Sequence, residues 1–386
     1  LTLEEDEDVA PEEEEAPTRW PAWVRMLIYV ATVLTVSVVL AFVGWECADE
    51  VLSLTAPDEL VMVTVPENFT VEQVSEILVE QDMIEMPWLF ELYCKFASAE
   101  DKIDPGTYEL NRYYDYNALV SGMIAGSSSR ATTTVTIPEG YEASQIFAML
   151  EEYGVCSVEE LTQTATNYDF DYDFLADIPL YSKNRLEGYL FPDTYEFYVE
   201  DEPVRVLEKF LTNFDSKFDD TMEVALINLN AQITEDMVAE GYSLSEIDES
   251  LMSVHDIVIV ASLIEKETSS SSESATISSV IYNRLASDDY PLLQIDATVQ
   301  YVLEERKEVL SSADLTIDSL YNTYRYPGLP AGPIANPGTL SIQAALAPED
   351  TEYYFYALNS DGSHHFSETY FEHNQFLQEM EQSDES

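Results

Sequence analysis

The chain has 386 residues, 46% of them hydrophobic and 24% charged, enough apolar content for about two to three domains with real cores, which excludes a disordered polymer. Lys and Arg total 16 against 75 Asp and Glu, and the formal charge of -59 repels phosphates, which excludes nucleic acid as a partner. Cys47, Cys94 and Cys156 are too few and too scattered for a disulfide framework or a zinc site.

The opening segment EEDEDVAPEEEEAP combines prolines with blocks of acid, the composition of a disordered tail, expected over residues 1–24. Met26 to Trp45 carries no charge, and about 20 apolar residues in a helix cross the roughly 30 Å hydrocarbon core, so a transmembrane helix is expected over 25–46. Trp20, Trp23 and Trp45 bracket it as interfacial aromatics. Arg19 and Arg25 precede it while Glu46, Asp49 and Glu50 follow, which puts the N-terminus in the cytoplasm and the bulk of a single-pass cell-membrane protein outside. The acidic leader, the length of the run and the missing small-residue cleavage site argue against a cleaved signal peptide.

Past a short linker near Pro57, Val61 to Val65 alternates as a strand, Pro66 breaks it, and an amphipathic helix is expected from Val71 to Val79. The pattern recurs: VTVPENFTVEQVSEIL from Val63 and VTIPEGYEASQIFAML from Val135 align without a gap as two β-turn-α units. Neither can bury its helix face alone. They are expected to pack with the segment between them, where Asp104 to Tyr108 reads as a turn entering a strand. Such a module fits binding or positioning, or a plain spacer. Farther on, Val204 starts a helix, acidic low-contrast sequence follows, and Ser243 to Asp248 offers capping-box chemistry before the apolar run IVIVASLIEKET. That run is apolar all round, as a helix buried at a domain centre is. Another helix is expected from Thr276 to Leu285, after the serines at 269–272.

Glu265 and Glu267 close the buried helix about 200° apart, so they cannot share one site; one is expected to face a cleft and the other solvent. Desolvation first, and the helix C-terminus second, raise a carboxyl in such a place toward what a general acid needs. Periodicity does not choose between the two. Gly and Pro between Pro327 and Gly338 fix a long irregular loop suited to the wall of a sugar-binding groove, or to structural turns alone. His364, His365 and His373 fit no zinc spacing, and no GxSxG elbow or phosphate loop occurs.

The strings ASLIEKET, YNRL, DATVQYVL, YNTY, GLPAGPIANPG and HxFS followed by EHN, behind the anchor and the two Pro-Glu units, resemble the YceG-like family of endolytic peptidoglycan transglycosylases, a likeness that covers roughly residues 26–377. The resemblance implies an α+β fold with three parts: an N-terminal transmembrane helix, a LysM-like β-α module over residues 58–130, and a YceG-type catalytic domain over 131–380 that begins with the second β-turn-α unit. It puts the catalytic glutamate on Glu265, and groove residues on Asn322 and Tyr324 of YNTY, on His364 and His373, on Glu187 of LEGYLFPDTY, and on Asp296. Ile295 departs from the small polar residue common between Gln294 and Asp296. The implied reaction cuts the β-1,4 bond after N-acetylmuramic acid, leaves a 1,6-anhydro end, and requires no metal or other cofactor. The implied partners are peptidoglycan strands, the cytoplasmic membrane, and, by family association, peptidoglycan synthases and elongation or division proteins. A hydrolytic muramidase, using Asp296, Glu187 or Asp193 as second carboxylate, and a non-catalytic wall-binding scaffold are the rival readings.

Overall fold

The computed structural model describes residues 20–384 except 101, 125–128, 130, 268–269 and 271. Most of the acidic tail, and part of the serine cluster at 269–272, therefore lie outside the described residues. The chain is α+β and divides into two compact units between Ser129 and Arg130. The two β-turn-α copies fall in different units. Each closes its own core with a strand from elsewhere.

In the first unit, α1 (Ala22–Leu52) is long and apolar enough to cross a membrane, with a mean hydropathy of 2.5 and none of that window buried. At about 1.5 Å per residue it runs some 46 Å, so its last turns extend past a hydrocarbon core. β1 (Leu60–Val65), α2 (Val71–Glu80), α3 (Pro87–Ala97), β2 (Gly106–Asn111) and α4 (Tyr116–Gly122) follow. β1 pairs antiparallel with β2, Val63 opposite Tyr108, and buries Val63 and Val65 with Val74, Leu78, Phe90 and Leu119. Glu50 near the end of α1 accepts the Glu85 and Met86 N–H groups at 2.8 and 2.9 Å and the Tyr116 hydroxyl at 2.8 Å. The Met86 N–H is one of the donors that the start of α3 leaves open.

The second unit opens with β3 (Thr132–Thr136), α5 (Ala143–Glu152) and α6 (Val158–Asn167), and β4 (Thr194–Tyr198) pairs antiparallel with β3. The copies match in detail. Val63 and Val135, Val74 and Ile146, and Leu78 and Leu150 are equivalent and fully buried. Asn68 and Gly140 hold the same left-handed turn at φ 57 and +75, and Gln73 and Gln145 accept the N–H of Thr70 and Glu142.

Next come α7 (Pro203–Lys217), α8 (Asp220–Glu240) and α9 (Leu244–Ser250). The acidic stretch that looked featureless is the 21-residue α8. It starts at the Asp219 cap and stops at Gly241 in the left-handed region, and only Met222 and Leu229 of it are buried, so its pattern shows no apolar stripe. The Ser243 capping box starts α9, not the buried helix. That helix, α10 (Val254–Glu267), has its own start, with Ser253 and Asp256 bonded reciprocally. Its residues Ile257 to Ile264 are all buried, packed on α11 (Ser274–Leu285), α12 (Asp296–Val302) and α13 (Thr339–Leu346). β5 (Phe355–Leu358) and β6 (His364–Ser367) form a last antiparallel pair before α14 (Tyr370–Asp384).

Candidate active site

Glu265 reaches the surface where α10 meets the start of α13. Its Oε2 accepts the Gly338 N–H at 3.1 Å and the Ser341 hydroxyl at 2.7 Å. Gly338 caps α13 and Ser341 lies in its first turn, so the carboxylate sits at the positive end of that helix. Oε1 accepts no hydrogen bond among the described residues. It lies beside Gly140: a Cβ there would stand 3.4 Å from Glu265 Cγ and 3.7 Å from Oε1. The first copy of this turn carries Asn68; the second carries glycine where Glu265 closes on it.

The same turn brings Glu139, which the sequence had not marked, against Gly338. A Cβ on Gly338 would meet Glu139 Oε1 at 1.9 Å, so the glycine makes room for a carboxyl. Burial, and then the charge of Glu265, hold the Glu139 carboxyl above its ordinary value. Lys266 donates back to the Gly140 carbonyl at 3.2 Å. Burial first and Arg306 second lower the lysine, against the pull of Glu142, Glu265 and Glu187, and Arg306 itself pairs with Glu142.

Asn336 fastens the Gly-Pro loop to this turn. It is fully buried; its Oδ1 accepts the Leu190 N–H at 2.8 Å, and its Nδ2 donates to Tyr141 O and Glu187 Oε1, each at 2.9 Å. Its backbone N–H donates to Tyr141 O, and its carbonyl accepts the Gly140 N–H. Ser262 of α10 accepts the Ile334 N–H at 3.1 Å, tying the loop to the buried helix as well. The irregular loop is thus fastened both to this turn and to α10.

The YceG-like family profile matches residues 63–379, a span that contains every residue named above from Glu139 to Ser341. The chain belongs to the YceG-like family. Among its relatives, a Bacillus subtilis (strain 168) protein named endolytic murein transglycosylase is 32% identical over 323 residues, covering 81% of this chain and 83% of that one. A Streptococcus pneumoniae serotype 2 protein of the same name is 25% identical over 344 residues, covering 83% of this chain but 58% of its own length. A solved yceG-like protein of Listeria monocytogenes is 30% identical with a TM-score of 0.49, covering 83% of this chain and 100% of that one.

The other residues that the YceG-like resemblance marked are divided by α10. Glu267, expected at the solvent if Glu265 took the cleft, is instead largely enclosed: the Tyr356 hydroxyl donates to its Oε2 at 2.8 Å. Burial raises its carboxyl, with His364 opposing and Asp296 adding. On this side Tyr324 donates to Asp296 at 2.5 Å, and His364 pairs with Glu273 at 2.8 Å and meets the Tyr356 ring edge-on. His373 stacks on Phe355 at 5.3 Å, its Nδ1 buried without a hydrogen-bond partner among the described residues. Asn322 is fully buried, donating to Leu315 O and Ile317 O and accepting the Tyr324 N–H. It shapes the turn that presents Tyr324 and is no groove residue itself. Asp193 is engaged by Thr194, Asn213 and Lys217, which hold its carboxyl below the ordinary range.

Glu187 is likewise an anchor and not part of a groove surface. Only 2% exposed, it accepts the Ala143 N–H at 2.9 Å, the Asn336 amide, and the Tyr301 hydroxyl at 3.0 Å. Burial outweighs these bonds and pushes its carboxyl up to about 8. Between its ordinary 4.5 and about 8, the folded protein keeps a proton that the unfolded chain has lost. Stability from this group is full below the lower value and falls by about 1.4 kcal/mol per pH unit toward the upper one. Glu187→Gln removes the titration, so its melting temperature is expected to exceed that of the unaltered protein at about pH 8 and not at about pH 4.5. Equal pH dependence of the two melting curves would refute this.

Proposed function

We propose that this chain is a membrane-anchored endolytic lytic transglycosylase that cuts the β-1,4 bond between N-acetylmuramic acid and N-acetylglucosamine in nascent peptidoglycan. The observation that carries the reading is Glu265: Oε2 fixed by two donors from α13, Oε1 left open beside Gly140, within a chain whose relatives are named endolytic murein transglycosylases. Glu265, protonated on Oε1, gives its proton to the glycosidic oxygen as the bond to the anomeric carbon breaks. The 6-hydroxyl of the same muramic acid then attacks that carbon, and Glu265 takes the hydroxyl proton. The acid is regenerated, no water is consumed, and the new end is a 1,6-anhydro sugar.

Two features support the anchored form. α1 has the length and composition of a span, and the residues flanking it, basic before and acidic after, favour an outside catalytic unit. The β1–α2–α3–β2 order, with its antiparallel pair, supports a LysM-like wall-binding role for the first unit. Held near the bilayer, the enzyme meets strands as they emerge, which suits termination of glycan elongation beside synthases and the elongation or division proteins.

Digesting purified glycan strands and weighing the new ends tests the reaction. Anhydro ends, lighter by one water than reducing ends, are expected. Reducing ends alone would replace this reading with a hydrolytic muramidase.

A further inference from the structure

The turn before α5 carries a carboxyl that the single-residue scheme leaves unused. Glu139 fills the space that a side chain at Gly338 would occupy, with its Oε1 at 1.9 Å and its Cδ at 2.4 Å from that Cβ position. The same residue, Gly338, donates its N–H to Glu265 at 3.1 Å. One glycine thus lies between the two carboxyls, and standard covalent dimensions keep them within about 7.5 Å of each other. Gly140 closes the other side, against Glu265 Cγ.

The surrounding charges do not neutralise Glu139. Glu142, three residues on, is paired with Arg306; Lys266 is turned to the Gly140 carbonyl; Glu187 is buried behind Asn336; and α13 offers Glu265 a hydroxyl and an N–H but no charge. Glu139 makes no hydrogen bond or ion pair among the described residues, and it is exposed. Glu267 and Asp296 belong to the other side of α10.

We infer that Glu139 acts on Glu265 through its charge, across Gly338, so that the Glu139 carboxylate helps Glu265 hold the proton it delivers and recovers. The inference rests on the transglycosylase reading and adds to it a positioning residue that acts through Glu265. A like charge at this range disfavours ionisation of its neighbour. The inference fits the raised Glu139 carboxyl, for which burial is the first cause and the Glu265 charge the second. It also accounts for both glycines: Gly140 lets Glu265 approach, and Gly338 lets Glu139 lie against the peptide that Glu265 binds.

The test is the pH dependence of kcat/KM for the full chain in detergent, from about pH 4.5 to about pH 8.5. Removing the charge at position 139 weakens retention of the proton on Glu265. In Glu139→Gln the limb on which activity falls as pH rises is therefore expected to move to lower pH by about one unit, which lowers the rate roughly tenfold above that limb and little below it. Glu139→Asp should restore most of the position of the limb. Gly338→Ala, which displaces the Glu139 side chain while keeping its charge, should shift the limb in the same direction by less. A limb that stays in place in both Glu139→Gln and Gly338→Ala, with rates lowered equally at every pH, would overturn the inference. The two readings fail separately: the chemistry of the new ends tests the transglycosylase, and the limb tests the pair. If Glu139→Gln melts early, Gly338→Ala carries the decision, since its N-cap backbone (φ -81) suits alanine.

Discussion

Glu265→Gln is expected to lower turnover of glycan strands by roughly 10³-fold while leaving the fold and KM nearly unchanged. The amide keeps an oxygen to accept the Gly338 N–H and the Ser341 hydroxyl, so the contact between α10 and α13 survives. It has no proton to give the leaving oxygen and cannot take one from the 6-hydroxyl. Both halves of the reaction fail together, and kcat and kcat/KM should fall by the same factor. Thermal melting within about 1 kcal/mol of the unaltered protein checks that the loss is chemical. Cleavage at the unaltered rate would place the working carboxyl elsewhere and would favour the scaffold reading.

The parts of the site differ in how far the sequence announces them. α10 is legible because Ile257 to Ile264 form an apolar run broken only by Ser262, as a buried helix does. The duplicated unit is legible because its period-2 strand, Pro-Glu turn and helix are local patterns, and the copies agree to the individual buried residue. α8 is hidden because its apolar residues face no single direction. Glu139 is hidden for another reason: Glu67 and Glu139 occupy the same place in two similar turns, and which of them meets a catalytic carboxyl is decided by tertiary packing. The one local clue is the exchange of Asn68 for Gly140, and it becomes readable only when Glu265 Cγ is seen against that glycine. Glu187 and Asn322 mislead in the opposite sense. Polar side chains in unusual strings invite a substrate role, yet both are buried and spend their hydrogen bonds on loop backbones and neighbouring side chains. A long irregular wall built from glycine and proline has few internal ladders, so its rigidity must come from such anchors.

That dependence makes Asn336→Ala the most destabilising single change expected in the second unit. Alanine leaves the Leu190 N–H without its acceptor, and it removes one of the donors that hold the Glu187 carboxylate in a place where water does not reach. Each buried polar group so orphaned costs about 1–3 kcal/mol, and the cavity adds to it, for a loss of roughly 3–5 kcal/mol. In a unit of this size that lowers the melting temperature by about 6–10 °C. The pH dependence should also steepen, because Glu187 loses a hydrogen bond that favours its charged form, and the penalty for ionising it rises. Combining the change with Glu187→Gln should therefore cost less at about pH 8 than the sum of the separate losses, since no buried charge remains to be stranded. Strict additivity at that pH, or a melting temperature lowered by less than about 3 °C in Asn336→Ala, would mean that the loop is held by its backbone bonds to Gly140 and Tyr141 alone.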